Sequence, residues 1–222
     1  MSAPAPQGLW QAAIVDLDGT LVDTLGDFVV ALNRTLAELG LASVDRDFVE
    51  RTVGKGSEHL IRSTLAQVGA APERYEAAWQ AYQRYYAEVN GLHARVYDGA
   101  AEGLQRLRDA GLRLVCLTNK PGGFARELLA RKGLAGYFEQ VYGGDAFERK
   151  KPDPLPLLMA CAALGTQPAQ TLMIGDSRND AEAARAAGCP VVLVRYGYNH
   201  GEPVEAVGAD ALLERIDALT LR

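Results

Sequence analysis

Short apolar runs rich in β-branched residues punctuate the chain, and helix-like stretches separate them. The first run is Ala12-Ala13-Ile14-Val15, and the second spans Leu112 to Leu117 around Leu114, Val115 and Cys116. A weaker one surrounds Val141 and Tyr142. Leu172-Met173-Ile174 and Val191-Val192-Leu193-Val194 follow. Continuous apolar runs bounded by turn residues suit strands covered on both faces. Their alternation with helical patterns predicts a parallel α/β sheet of Rossmann-like type. Residues from about 99 to 110 carry Leu104 and Leu107 at helical spacing and stop at Gly111. Those from about 122 to 132 carry Leu128 and Leu129 before Gly133. A third helix starts at Asn179 or Asp180 and stops at Gly188.

Residues 25–93 read differently, because they hold no strong strand pattern. Leu32, Leu36 and Leu39 make one amphipathic face, and Leu60, Ile61, Leu65 and Val68 a second. Ala78, Tyr82, Tyr85, Tyr86 and Val89 make a third. The tyrosine stripe reads as helix core rather than as a ligand box. The chain therefore divides into an α/β core, residues 1–24 and 94–222, and an α-helical insert, residues 25–93, placed after the first strand.

Composition narrows the class. With 222 residues the chain can bury a sizeable core. A net charge of -5 argues against a sequence-independent grip on nucleic acid, which needs a basic surface. Cys116, Cys161 and Cys189 are three and sparse, so no disulfide framework is expected, and Cys116 and Cys161 sit in apolar runs as buried thiols. The first eleven residues have no basic or apolar secretory region and read as a disordered tail. No run approaches the length of a membrane span. A cytoplasmic enzyme, monomeric or homodimeric, is the expectation.

Reactive residues follow the apolar runs. Asp16 and Asp18 follow the first, and Thr118-Asn119-Lys120 the second. Lys150 and Lys151 lie downstream of the third, and Gly175-Asp176-Ser177 ends the fourth. In a parallel sheet the carboxyl ends of strands share one edge, where ligands bind. Carboxylates brought face to face need a cation or protons between them, and an oxygen-only donor set favours Mg²⁺. A lysine, a threonine and free backbone amides suit a phosphate. Metal, phosphate and a spare carboxylate together point to phosphoryl transfer. An EF-hand reading fails because Leu21 stands where the loop needs glycine. Gly54-Lys55-Gly56-Ser57 lacks the Walker A spacing and reads either as a cationic turn of the insert that touches substrate or as an ordinary inter-helix turn.

The DLDGTLVDT stretch at 16–24, Thr118-Asn119-Lys120, Lys151-Pro152 and the GDSRND stretch at 175–180 resemble, in order, the four motifs of the haloacid dehalogenase-like superfamily of phosphatases. YGGDAFERKKPDPLPLL, IGDSRNDAEAARAAGCP and RYGYNHGE are similar to the bacterial phosphoglycolate phosphatases within it. The resemblance implies an α-helical cap over a Rossmann-like core. It also implies Mg²⁺-dependent hydrolysis of a small phosphomonoester, 2-phosphoglycolate, through an aspartyl-phosphate. Asp16 would attack phosphorus and bind the metal. Asp18 would act as acid and then base, and would reach the metal through its backbone carbonyl. Asp176 would complete the protein ligands. Thr118, the amide of Asn119 and Lys151 would hold the phosphoryl oxygens, and Asp180 would hold the metal's water shell or orient Lys151. In the insert, Lys55 would meet the substrate's carboxylate, with Arg62 and His59 as weaker candidates. His200 lies in a loop expected near the site.

Related readings are a phosphatase for a sugar phosphate or nucleotide, a phosphosugar mutase, a metal-free dehalogenase and a non-catalytic scaffold. The acid at Asp18 speaks against a dehalogenase, and the complete reactive set speaks against a scaffold.

Overall fold

A computed structural model describes residues 10–220. Most of the N-terminal stretch read as a tail lies outside the described residues. In chain order the elements begin with β1 (Ala12–Val15) and β2 (Val22–Asp23). Four helices follow: α1 (Leu25–Glu38), α2 (Arg46–Thr52), α3 (Ser57–Gln67) and α4 (Tyr75–Val89). After them come β3 (Arg95–Val96), α5 (Ala100–Asp109), β4 (Arg113–Leu117), α6 (Gly122–Arg131) and β5 (Gln140–Tyr142). The chain continues through α7 (Leu155–Leu164), β6 (Thr171–Gly175), α8 (Arg178–Ala187), β7 (Val191–Val194) and β8 (Ala211–Leu213).

Six strands form one sheet in the order β5-β4-β1-β6-β7-β8, with every neighbouring pair parallel. The strands read as unbroken apolar runs because successive side chains enter two different cores. Ala13, Val15, Leu114, Cys116, Ile174 and Val194 pack against Leu104, Leu107, Leu128 and Leu129 of α5 and α6. Ala12, Ile14, Val115, Leu117, Met173 and Leu193 pack against Leu157, Ala160, Cys161 and Ala184 of α7 and α8. The three thiols are buried, as expected for Cys116 and Cys161.

The five strand patterns correspond to β1, β4, β5, β6 and β7. β8 goes beyond them: three residues at a sheet edge carry too short a pattern to stand out, and only pairing with β7 reveals the strand. α7 was likewise missing from the sequence reading, since LPLLMACAAL is apolar all round and shows no helical period.

Residues 25–89 are helical, with no strand among them. Leu32, Leu36, Leu60, Ile61, Leu65, Ala78, Tyr82 and Tyr86 join in a third hydrophobic cluster, which also takes in Tyr198. The segment leaves and re-enters beside a two-residue antiparallel ribbon, Val22 opposite Val96 and Asp23 opposite Arg95. The buried carboxylate of Asp27 accepts the N–H groups of Gly91 and His93, both at 2.7 Å, which ties the returning chain to α1. The Tyr198 hydroxyl accepts the N–H groups of Thr24 and Leu25 at 3.0 and 3.2 Å. Both chain crossings are therefore pinned by polar contacts. No helix among the described residues is long and apolar enough to cross a membrane.

Candidate active site

The parallel sheet delivers the reactive residues to its carboxyl edge. Asp16 follows β1 directly, and its N–H donates to the Ile174 carbonyl of β6 at 2.9 Å. Thr118 follows β4 and donates its N–H to Tyr142 of β5 at 3.0 Å. Asp176 follows β6, and α8 starts two residues later from Ser177. Asp16, Thr118, Asn119, Lys120, Lys151, Asp176, Ser177 and Asp180 are all buried, although all are polar or charged. Gly19 turns the chain between Asp18 and Thr20 at φ 85°, and a Cβ there would stand 2.3 Å from Asp176 Oδ2. Only glycine meets both demands.

Lys151 is the hub. Its Nζ lies 2.8 Å from Asp16 Oδ1, 2.7 Å from Asp180 Oδ1 and 2.8 Å from the Leu117 carbonyl. The contact with Asp16 is an ion pair without hydrogen-bond angles, and Asp16 Oδ1 is otherwise buried without a partner. Burial alone would lower the pKa of Lys151, but Asp16 and Asp180 outweigh it and raise it. The other oxygen of Asp180 accepts from Ser177 Oγ at 2.9 Å, Ser177 N at 3.1 Å and Asp176 N at 3.2 Å. Asp180 thus closes the capping box of α8 and steadies Lys151 with the same carboxylate. Of the two roles expected for it, orienting Lys151 matches this geometry.

Asp176 accepts from Thr20 Oγ1 at 2.9 Å and from the Tyr198 N–H at 2.6 Å. Burial, then the charges of Asp180 and Asp16, push its carboxyl well above the usual range. Asp16 is pushed up to about 7, chiefly by burial, with Lys151 opposing and Asp180 and Asp18 adding to the rise. Carboxylate oxygens of Asp16, Asp176 and Asp180 lie within 4.8 Å of one another. Three buried acids this close together, with the Asp16 and Asp176 carboxyls pushed up, fit a hard divalent cation, which would relieve their repulsion. Asp180 takes Lys151 on one oxygen and three donors on the other, whereas each Asp176 oxygen takes a single hydrogen bond and Asp16 meets only Lys151, so Asp16 and Asp176 keep more lone pairs to hold it.

Asp18 is joined to Lys120, whose Nζ donates to its two oxygens at 2.9 and 3.2 Å. The same ammonium donates to the Tyr86 hydroxyl of α4 at 2.5 Å and lies 4.5 Å from the Phe28 ring centre of α1. Asn119 sends its side-chain amide to the carbonyls of Lys151 at 2.8 Å and Gly54 at 2.9 Å. Asn179 also donates to Gly54, at 3.2 Å. The turn between α2 and α3 is therefore held by two core asparagines, directly over the acids.

A partly open cleft runs between these groups. It is lined on the sheet side by Asp16, Asp18, Thr118, Lys151 and Asp176, and on the helical side by Phe28, Leu60, Tyr82 and Tyr86. Lys55 is exposed and does not line the cleft, although its neighbours Gly54, Gly56 and Ser57 do. Arg62 pairs with Glu58 at 2.9 Å and lies over Tyr75, and His59 is exposed. His200 approaches Asn179 at 3.2 Å, beside the site as its loop suggested.

Several participants escaped the sequence reading. Lys120 stands within the quoted Thr-Asn-Lys motif, yet only its partner Asp18 shows what its charge meets. Thr20 and Tyr198 hold Asp176 from opposite ends of the chain, which no local pattern announces. The tyrosine stripe is helix core, as read, and two of its members also wall the cleft.

Comparison with known proteins agrees with this arrangement. The haloacid dehalogenase-like hydrolase family model matches residues 13–194. A phosphoglycolate phosphatase of Thiobacillus denitrificans is 43% identical over 206 residues, 91% of either chain. A plasmid-borne phosphoglycolate phosphatase of Cupriavidus necator is 45% identical over 210 residues, covering 94% of this chain and 90% of that one. The crystal structure of a predicted phosphoglycolate phosphatase from Haemophilus somnus superposes with a TM-score of 0.91 at 29% identity, covering 96% of this chain and 97% of the other. A family model that spans most of the sheet and all four motif positions leaves one assignment: the chain belongs to the haloacid dehalogenase-like hydrolases.

Proposed function

We propose that this enzyme is a Mg²⁺-dependent phosphomonoesterase that hydrolyses 2-phosphoglycolate to glycolate and phosphate through an aspartyl-phosphate on Asp16. The observation that carries the reading is the Asp16 carboxylate, buried beside Lys151 and Asp176 in a cleft between the sheet edge and the helical segment. Relatives named phosphoglycolate phosphatase, at 43 and 45% identity, support the choice of substrate.

Asp16, Asp176 and the Asp18 carbonyl would hold Mg²⁺, which offsets charge on the acids and on the phosphoryl group. Asp16 attacks phosphorus and displaces the alkoxide. Asp18 gives that alkoxide a proton and then takes one from the water that cleaves the aspartyl-phosphate. Lys120 anchors the Asp18 carboxyl at the cleft wall. Lys151, the Thr118 hydroxyl and the Asn119 N–H hold the phosphoryl oxygens, where charge develops as the bond to the leaving group breaks. Residues 25–93 act as a cap over the core formed by residues 1–24 and 94–222, excluding water during phosphoryl transfer. Their separate hydrophobic cluster supports motion as a unit, and the Lys120 contacts with Tyr86 and Phe28 favour the closed arrangement.

Phosphate release measured across 2-phosphoglycolate, hexose phosphates and nucleoside monophosphates tests the substrate. 2-Phosphoglycolate is expected to rank first in kcat/KM, and a faster sugar phosphate or nucleotide would sink the assignment. Chelation by EDTA is expected to lower the rate by at least about 100-fold, since the cation supplies several kcal/mol of charge stabilisation. Added Mg²⁺ should restore it and Ca²⁺ should not, because the larger ion holds its ligands at longer, looser distances. Full activity in EDTA would exclude the metal.

A further inference from the structure

The reacting end of the cleft is crowded with committed polar groups, whereas the far end holds donors without acceptors. Tyr82 on α4 is completely buried, lines the cleft, and its hydroxyl has no hydrogen-bond partner. The Ser57 side chain lies beside that hydroxyl without hydrogen-bond geometry. Ser57 is also the first residue of α3, an 11-residue helix whose N-cap is Gly56 and whose N-terminus no side chain caps. Its opening N–H groups are thus left for another acceptor, and the positive end of its dipole faces the cleft where Gly56 and Ser57 line it.

We propose that the α3 N-terminus, the Ser57 hydroxyl and the Tyr82 hydroxyl form the receptor for the carboxylate at the non-reacting end of the substrate. The assignment rests on the reading of the substrate as a 2-phosphocarboxylate. A buried hydroxyl without an acceptor is costly and calls for a ligand atom to satisfy it. A helix N-terminus beside it specifies that atom as anionic. Burial, with Asp18 and Asp27 nearby, holds the Tyr82 pKa well above its ordinary value, so the group is a donor at all working pH values.

The other polar groups are drawn elsewhere. The Tyr86 hydroxyl accepts from Lys120, which draws it to the Asp18 pair at the reacting end, and the Asn119 and Asn179 amides hold Gly54. Lys55 lies outside the lining. The surrounding wall is Phe28, Val53, Leu60 and Phe124. Those side chains have nothing to offer the hydroxyls of a sugar, so the same end of the cleft that receives one carboxylate disfavours a polyhydroxyl chain.

The test compares kcat/KM for 2-phosphoglycolate and for ethyl phosphate, which has the same chain length and no carboxylate, in the wild type and in Tyr82→Phe. The wild type is expected to prefer 2-phosphoglycolate. Tyr82→Phe should reduce that preference by about 10- to 100-fold, the worth of a hydrogen bond to a charged group, with the loss appearing mainly in KM. Inhibition by glycolate should weaken in parallel, which reads the receptor without turnover. Because the hydroxyl has no partner in the protein, the variant should melt no lower than the wild type. A preference unchanged within about twofold, with glycolate inhibition also unchanged, overturns the receptor while leaving the phosphatase reading intact. A wild type that treats the two esters alike overturns the receptor and the choice of 2-phosphoglycolate together, while hydrolysis itself stands.

Discussion

Asp16→Asn is expected to release no measurable phosphate while the chain stays folded. The amide has nearly the shape of the carboxylate but cannot attack phosphorus, and removal of an attacking group from a concerted site costs about 10⁶-fold in kcat in well-studied hydrolases. A fall of at least about 10⁴-fold is the threshold here. The fold should survive because the cost of the wild-type residue is electrostatic. Asp16 is buried against Asp180 and Asp18, which together with burial carry its pKa to about 7. Neutralising it removes repulsion from the acid cluster, and Lys151 retains Asp180 as a partner at 2.7 Å. Thermal unfolding without Mg²⁺ should therefore show no loss of stability, while phosphate release by a malachite green assay falls to background. Retained turnover would refute the aspartyl-phosphate route.

Lys151→Met is expected to damage both chemistry and stability, which separates it from Asp16→Asn. The lysine is buried to the same degree as its partners and supplies the cation between Asp16 and Asp180. Methionine matches its length and keeps its apolar stem. It leaves two buried carboxylates without a counter-charge and the Leu117 carbonyl without a donor. Breaking a buried pair on one side typically costs about 3–5 kcal/mol. Removal of one preorganised donor to the developing charge costs about 10²–10³ in kcat. Both losses should appear together, in chemical denaturation and in single-turnover kinetics at a temperature where the variant is folded. Mg²⁺ should stabilise the variant more than the wild type, because the acids then depend on the metal alone for neutralisation. A variant as stable as the wild type would show that the ion pairs around Lys151 contribute little.

The architecture was readable from the runs themselves. Four of the six strands of the main sheet appear as continuous apolar runs because each is covered on both faces, the edge strand β5 is only half-buried and shows more weakly, and the reactive residues stand out because polarity begins where the strands end. The start of α8 lies one or two residues before the position read from sequence. Ser177 is its N-cap, and Asp180 belongs to the capping box rather than opening the helix. β8 and the β2–β3 ribbon were not legible, since strands of two or three residues are defined by their partners and not by their own pattern.

Local order and chemistry are thus properties of the sequence: which runs become strands, that acids follow the first and fourth, and that a helical segment intervenes. Hydrophobic periodicity and strand termination act over a few residues, and a single chain displays them without its fold. Pairing is a property of the tertiary structure alone. That Lys151 stands between Asp16 and Asp180, that Lys120 links Asp18 to Tyr86, and that Tyr82 ends without a partner follows from contacts across 29 to 135 residues, for which the sequence carries no local signal. Asp16-Leu17-Asp18 therefore pointed to the proposed reaction, while Lys120, Tyr82 and their neighbours came beside it only when the helical segment was laid over the sheet edge.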